Sequence, residues 1–257
     1  MNSPETRLRA ALKRHNRLAV AVSGGVDSLT LAYCASTWVP DFLCIHAISP
    51  AVPAEATQRV EQYAAANRWP IRIVRSGEFD DPAYRENPHN RCYFCKTNLY
   101  RTMSRVFDGP IASGTNTDDL GDYRPGLKAA AEHQVVHPFI EAGISKADLR
   151  AIARGFDLQD IADLPAQPCL ASRIETGIRI SQEDLGFIYR VEISLRPYAP
   201  QANLRCRILP AGVRIETDHD LPDEAQALAR QMCLAENRSL IGIGAYSRGS
   251  AFIVPEA

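Results

Sequence analysis

The sequence predicts an α/β fold, a parallel twisted sheet with helices on both faces, followed by a smaller α+β domain. Three observations support this prediction. In the first part of the chain, short apolar runs suited to buried parallel strands alternate with segments of helical spacing. The first apolar run ends in a glycine turn at 23–25, and a helical segment follows at once. After about Gly177 the alternation gives way to helix, two strands, helix and strand.

Apolar periodicity and turn residues define each element in order. In the first domain we predict a helix at 7–13, then strands at 18–22, 42–48, 71–74, 111–113 and 135–139, and helices at 26–37, 54–67, 96–106 and 146–154. Ser145 is the expected cap of the last of these helices. The second domain has predicted helices at 181 onward and 223–236, and strands at 204–209, 213–217 and 239–244. We place the first domain at residues 1–176 and the smaller α+β domain at 177–257.

Composition is typical of a globular protein that works in the cytoplasm. The chain has 257 residues, of which 46% are hydrophobic and 23% charged, so it can bury a sizeable core. Lysine and arginine number 29 against 30 acidic residues, which gives no general attraction to nucleic acid or to an anionic membrane. No apolar run approaches the roughly 20 residues that a membrane helix needs, and no signal peptide is evident. We therefore expect neither nucleic acid nor a membrane as a partner.

The segment 23–28, Ser-Gly-Gly-Val-Asp-Ser, follows the first predicted strand and indicates phosphate binding. Two glycines let the backbone approach a polyphosphate, and the helix that follows adds a partial positive charge. An acidic residue inside an anion-binding loop is unfavourable unless a divalent cation lies between it and the phosphates, which predicts Mg²⁺ together with ATP. A purely structural turn is the alternative. The residues expected to bind the nucleotide here are Ser23, Gly24, Gly25, Asp27 and Ser28.

This hexapeptide resembles the signature of the PP-loop ATP pyrophosphatases, whose fold is Rossmann-like. The resemblance implies adenylation of a carboxylate, carbonyl or amide oxygen with release of pyrophosphate. It also implies an adenine pocket near 47–49. The segment lacks the Gly-Lys-Ser/Thr of the Walker loop and the three-glycine spacing of the dinucleotide fold.

Three cysteines form a second candidate site. Cys92 and Cys95 are three positions apart, a spacing that lets two thiols reach one metal or cluster. Cys169, in a proline-bounded loop, is the natural third ligand, and three thiolates leave one iron of a [4Fe-4S] cluster open to an exogenous sulfide. Half of a structural zinc site, or merely buried thiols, are the alternatives. The cysteines expected in the core are Cys34, Cys44, Cys206 and Cys233.

Together these segments resemble the ATP-dependent sulfur transferases of the LarE type, which make the nickel-pincer nucleotide cofactor of lactate racemase. The matching segments are 23–28, 87–100, 114–119 with 122–126, and 168–173. The resemblance implies that ATP adenylates a carboxylate of a pyridinium dicarboxylate mononucleotide and that sulfur replaces AMP, which gives a thiocarboxylate. Members with three cysteines at these positions are thought to use a cluster-bound sulfide. In the single-cysteine chemistry, Cys169 would be the sacrificial residue.

The same resemblance assigns further residues. Gly114, Asp119 and Arg124 follow the fourth strand, on the expected ligand edge of the sheet, and are expected to help bind the nucleotide. Arg173 is expected to act in catalysis beside Cys169 and Asp27, because a guanidinium binds phosphate or carboxylate with two parallel bonds. The residues assigned to the substrate phosphate or to a subunit interface are Glu192, Arg205 and Arg207. The alternative is that these three residues are solvated charges on a helix and a strand.

The resemblance also suggests a homo-oligomer acting on a small nucleotide-like substrate. Three other functions stay open. A tRNA-thiolating PP-loop enzyme would ordinarily have a basic groove or an RNA-binding domain. An amidating ligase of the superfamily would need an ammonia source. A non-catalytic nucleotide or metal sensor would bind ATP without releasing AMP.

Overall fold

The computed structural model describes residues 2–121 and 125–253. The chain divides into two units, each with its own internal packing. The first unit comprises residues 1–81 and 92–167, and the second comprises 82–91 and 168–257. The assignment of residues 1–176 to ATP binding and of residues 177–257 to the substrate or to oligomerisation stays a prediction.

Helices and strands alternate in the first unit as far as β4, whereas the second unit has the order helix, two strands, helix and strand after residue 168. In chain order the helices are α1 (Pro4–Leu12), α2 (Val26–Trp38), α3 (Ala54–Asn67), α4 (Pro82–Arg85), α5 (Arg91–Val106), α6 (Pro125–Glu132), α7 (Pro138–Glu141), α8 (Lys146–Gly155), α9 (Gln159–Ala162), α10 (Gln182–Leu195) and α11 (Asp223–Ala235). The strands are β1 (Arg17–Ala21), β2 (Asp41–Ile48), β3 (Ile71–Arg75), β4 (Ile111–Ala112), β5 (Arg205–Leu209), β6 (Gly212–Thr217) and β7 (Leu240–Ala245).

The first unit is built on a parallel sheet with the strand order β3-β2-β1-β4. The chain moves outward from β1 to β3 and then returns to the other side of β1 for β4. Strand order therefore reverses between β1 and β4. In open α/β sheets, ligands bind beyond the carboxyl ends of the strands at such a switch point.

Helices cover both faces of this sheet. Leu18 and Val20 of β1 pack into a core with α1, α2 and α8, whereas Ala19 packs with α5 on the opposite face. Alternate residues of a strand point to opposite faces, and all three of these side chains are fully buried. The predicted α/β class is therefore confirmed, and so is the Ser145 cap of α8, which accepts a hydrogen bond from Asp148 N at 3.1 Å.

Two predicted elements differ from the structure. The strand predicted at 135–139 is wrong, because only Val136 forms a single parallel bridge, to Ala112, before α7 begins at Pro138. Proline has no N–H for a strand ladder, and its fixed φ suits the first turn of a helix. The helix predicted at 96–106 begins five residues earlier, so Cys92 and Cys95 lie in its first turns on one face.

The second unit contains a three-stranded mixed sheet, as predicted for the smaller α+β domain. β5 and β6 are antiparallel, with Arg205 opposite Glu216, and β6 and β7 are parallel. Helix α10 packs on β5, and α11 packs on β7. Ser181 caps α10 by accepting a hydrogen bond from Asp184 N at 2.9 Å.

Across residues 2–121 and 125–253, none of the helices combines the length and the apolar character that a membrane crossing requires.

Candidate active site

The loop 23–28 connects the carboxyl end of β1 to α2. The Ser28 side chain makes two hydrogen bonds to the backbone of this loop. Its Oγ accepts a hydrogen bond from Ser23 N at 3.0 Å and donates one to Gly25 O at 3.2 Å. Ser28 is buried, whereas Ser23 is exposed. The first-turn amides of a helix have no intrahelical partners, so the start of α2 presents donors at this edge of the sheet. The loop is thus preformed for an anion, with Ser23 on its open side.

Gly24 lets the loop lie directly on α3. Its φ is +84°, and a Cβ built at this position would be 2.6 Å from Ala56 O. Real Cβ atoms do not approach a carbonyl oxygen so closely, and the positive φ is itself costly for any other residue. Both the backbone conformation and the close approach therefore require glycine.

Gly24→Ala should destabilise the fold by about 1–3 kcal/mol through backbone strain alone, with a further cost from the contact with Ala56. We also expect weaker ATP binding, because the loop must move. Gly77→Ala is the matched control, since Gly77 has φ +75° but nothing within 4 Å of the added Cβ. Urea unfolding and ATP titration of both variants measure the two effects. Equal behaviour of the two variants would show that the packing on α3 is unimportant.

Asp27 lies at the centre of a polar cluster at the switch point. Its Oδ2 is 2.5 Å from Nζ of Lys146, and its Oδ1 accepts from Nδ2 of Asn116 at 3.0 Å. The Asp27 and Lys146 side chains remain 29% and 33% exposed, so a ligand can reach the pair. One anionic, one cationic and one amide group thus converge at the open edge of the sheet.

Lys146 and Asn116 are site residues that the sequence analysis did not assign. Lys146 is the first residue of α8, where a cation is disfavoured by the helix dipole. A lysine at the start of a predicted helix therefore indicates, in the sequence alone, that an anionic group lies nearby. Asn116 is buried, and its Oδ1 accepts from Asp118 N at 3.0 Å, which fixes the amide toward Asp27.

The segment after β4 packs against the phosphate loop. A Cβ on Gly114 would lie 2.9 Å from Ser28 N, so glycine allows the two segments to touch. Asp119 Oδ2 accepts from Asn116 N at 3.1 Å, which places Asp119 in the turn that supports the site. Its role in nucleotide binding stays a prediction. Arg124 lies outside the described residues.

His46 joins β2 to the phosphate loop and to α3. Its Nδ1 is 2.7 Å from Val22 O, and because a carbonyl only accepts, Nδ1 carries the proton. Nε2 then accepts from the Thr57 hydroxyl at 2.9 Å. Burial lowers the pKa of His46, so the ring is neutral at pH 7. His46 is therefore a packed residue that links β2 to the loop and to α3.

In the second unit, Arg173 anchors the loop that carries Cys169. Its Nη1 donates to Pro168 O at 2.6 Å, to Cys169 O at 3.1 Å and to Ser172 Oγ at 3.0 Å. Nε and Nη2 each donate to the carboxylate of Glu192 at 2.9 Å. Burial lowers the pKa of Arg173, but the charge and hydrogen bonds of Glu192 outweigh it and the net shift is upward. Arg173 stays charged and holds the loop, while Cys169 is exposed.

Glu192→Ala should destabilise the protein by about 3–5 kcal/mol, because it leaves the buried Arg173 charge without its carboxylate. The midpoint of urea unfolding measures this. The double variant Arg173→Met, Glu192→Leu should be less destabilised than the single variant, since no unpaired charge is then buried. A Glu192→Ala variant as stable as wild type would contradict this account of the pair.

Arg205 and Arg207 are buried, so the alternative of solvated charges is wrong for both. Arg207 Nε donates to Glu216 Oε2 at 2.8 Å, and Nη1 donates to Ser172 O at 3.0 Å. Burial, and then the nearby Arg173, lower the pKa of Arg205. Arg207 therefore also supports the loop that carries Cys169. Binding of the substrate by these arginines and Glu192 stays a prediction.

The cysteines separate by exposure. Burial raises the pKa of Cys44 to about 12 and that of Cys34 further, so both are protonated, unreactive core thiols. Cys206 and Cys233 are buried as well, as predicted for all four. Among the residues described, no three His, Cys, Asp or Glu side chains are close enough together to hold a metal ion. Cys92 and Cys95 belong to the first unit and Cys169 to the second, and the predicted ligand set of these three cysteines stays a prediction.

Comparisons with known proteins give several relatives, although no protein-family model matches the chain. The protein slr1717 of Synechocystis sp. is 35% identical over 234 residues, which cover 89% of this chain and 85% of that protein. The pyridinium-3,5-bisthiocarboxylic acid mononucleotide synthase of Lactiplantibacillus plantarum is 25% identical over 195 residues, 74% of this chain and 70% of that enzyme. The tRNA(Ile)-lysidine synthase of Aromatoleum aromaticum is 28% identical over 174 residues, 60% of this chain and 40% of that enzyme. The first of these similarities is long enough to include both units.

Proposed function

Because this chain belongs to the PP-loop ATP pyrophosphatases, in one family with slr1717 and related to the L. plantarum synthase, we propose that it is a sulfur transferase that adenylates a carboxylate. In this reaction ATP transfers its AMP group to the carboxylate and releases pyrophosphate. Sulfur then displaces AMP, which gives a thiocarboxylate. The observation that carries the proposal is the cluster of Asp27, Lys146 and Asn116 beside the glycine loop at the switch point.

The first step is attack of a substrate carboxylate oxygen on the α-phosphorus of ATP, which breaks the bond to the bridging oxygen and releases pyrophosphate. The loop amides and the Ser23 hydroxyl bind the phosphates. Lys146 supplies a positive charge for the departing pyrophosphate, and Asp27 is the carboxylate that would hold Mg²⁺. Mg²⁺, when bound, neutralises charge on the leaving group. AMP is then a good leaving group for sulfur.

The proposed acceptor is a pyridinium dicarboxylate mononucleotide, a small nucleotide-like acid. Support comes from the related synthase, whose product is the bisthiocarboxylic acid of such a mononucleotide. In the second unit, Arg173 and Arg207 donate hydrogen bonds to the backbone of the loop that carries Cys169. Their charges are paired with Glu192 and Glu216, so these arginines hold the loop and do not add free positive charge to it.

The sulfur donor is proposed to be either Cys169 itself or sulfide on a [4Fe-4S] cluster that Cys92, Cys95 and Cys169 would hold. If Cys169 is the donor, its thiolate displaces AMP to form a thioester, and loss of the Cα proton with cleavage of the Cβ–Sγ bond then releases the thiocarboxylate and leaves dehydroalanine in the chain. Half-buried thiols on one helix face and an exposed third thiol suit such ligands chemically. No step of the adenylation described above depends on a cluster.

A related tRNA(Ile)-lysidine synthase supports a second candidate, a PP-loop enzyme that modifies tRNA. The balanced charge of the chain argues against a large RNA surface. Salt-sensitive binding of tRNA would favour this candidate over the small acid.

The test is an anaerobic incubation with ATP, Mg²⁺ and pyridinium dicarboxylate mononucleotide. We expect AMP and pyrophosphate in equal amounts. The mass of the acceptor should rise by the difference between one sulfur atom and one oxygen atom. Formation of ADP and phosphate, or AMP release that does not depend on the acid, would contradict the proposal. We also propose a cytoplasmic homo-oligomer, which fractionation and light scattering can test.

A further inference from the structure

Arg59, on α3, joins the phosphate loop to the segment that leads to Cys169. Its Nη1 donates to Gly24 O at 2.7 Å and to Gln167 Oε1 at 3.2 Å. An Nη nitrogen carries two N–H groups, so one atom can serve both acceptors. Gln167 precedes Cys169 by two residues, with Pro168 between them.

The contact with Gly24 fixes the loop. Holding Gly24 O sets the plane of the peptide between Gly24 and Gly25, and therefore the direction of Gly25 N–H. That amide belongs to the anion-binding loop. A phosphate bound to Gly25 N–H restrains this peptide, which already lies against the backbone of α3 at Ala56, and so also stabilises its bond to Arg59.

The same face of α3 holds the segment 160–167 at a second point. Tyr63 is one turn beyond Arg59, and its hydroxyl donates to Asp160 Oδ1 at 2.5 Å. Burial, together with this carboxylate, raises the pKa of Tyr63, so it remains a donor. The segment is thus fastened at its start by Tyr63 and at its end by Arg59, and Arg59 alone of the two contacts the phosphate loop.

We infer that Arg59 is a positioning residue that couples nucleotide binding in the phosphate loop to the placement of the Cys169 loop through Gln167. This inference rests on the proposed function, because it gives Cys169 a task that depends on the adenylate. When the phosphate loop binds a nucleotide, Arg59 holds Gln167, at the start of the Cys169 loop, in a fixed position. This limits the exposure of the Cys169 thiol to solvent.

Alkylation of Cys169 tests the coupling without any turnover. The full chain is treated with iodoacetamide with and without Mg²⁺ and α,β-methylene ATP, which cannot be cleaved between the α and β phosphates, and labelling of Cys169 is followed by peptide mass. In wild type we expect the nucleotide to slow labelling by about fivefold or more. Gln167→Ala should lose this slowing while still binding the nucleotide by calorimetry. Arg59→Ala should also lose the slowing, and it should bind the nucleotide more weakly because Gly24 O is released.

Tyr63→Phe is the matched control, because it removes a tether from the same helix face without touching the phosphate loop, and it should retain the slowing. Gln167 is exposed, so its variant folds even if Arg59→Ala does not. The inference is overturned if the nucleotide has no effect on wild type, or if the slowing persists in Gln167→Ala. A wild type that shows slowing but forms no AMP would contradict the proposed function and leave the coupling intact.

Discussion

Asp27→Asn should reduce the release of AMP and pyrophosphate by roughly 100- to 1,000-fold. The asparagine keeps the shape of the side chain and the acceptor for Asn116 Nδ2, but it removes the charge that faces Lys146. It also removes the carboxylate proposed to hold Mg²⁺, and an amide is a weaker ligand for a hard cation. Pyrophosphate release, measured at saturating ATP and acid, gives the effect.

Asp41→Asn is the control for this substitution. Asp41 is an exposed carboxylate that pairs with Arg17 at the opposite, amino end of the same parallel strands. It should leave pyrophosphate release close to wild type. Normal ATP cleavage by the Asp27→Asn variant would falsify the placement of the nucleotide at this edge, whereas an equal loss in both variants would point to a general effect of lost negative charge.

Cys169→Ser should abolish formation of the thiocarboxylate while adenylation continues. Cys169 is exposed at the start of a loop that Arg173 anchors through backbone carbonyls, so a serine of nearly the same size preserves the fold. Pyrophosphate exchange into ATP reports adenylation, and mass spectrometry of the acceptor reports sulfur transfer. Persistent thiocarboxylate in this variant would exclude Cys169 from the reaction.

Iron content after anaerobic reconstitution separates the two sulfur donors. Roughly four irons per chain in wild type, lost in Cys169→Ser, would support a cluster bound by three thiolates. In that case Cys92→Ser should also lose iron and repeated turnover. With a sacrificial Cys169 instead, wild type contains no iron and Cys92→Ser retains a single turnover. Zinc in place of iron would favour a structural metal site.

The sequence predicted the phosphate loop and its glycines, because strand, glycine turn and helix are determined by residues close together in the chain. It also placed Gly114 and Asp119 at the correct sheet edge, since these residues follow directly after a strand. The sequence did not determine whether Arg207 is solvated or buried. Whether a charged side chain is buried depends on a distant partner, here Glu216 on the neighbouring strand β6.

The sequence by itself determined the α/β class, through alternation of apolar strands and helices, and the glycine turn at 23–25 between β1 and α2. Only the tertiary structure decided what faces Asp27. Asn116 is 89 residues away in the chain and reaches Asp27 because β4 pairs beside β1. Lys146 is 119 residues away and reaches Asp27 because α8 packs against α2. Local propensity sets the helices and strands, but strand order and helix packing depend on how all the apolar faces pack together, and that packing brings the ion pair together.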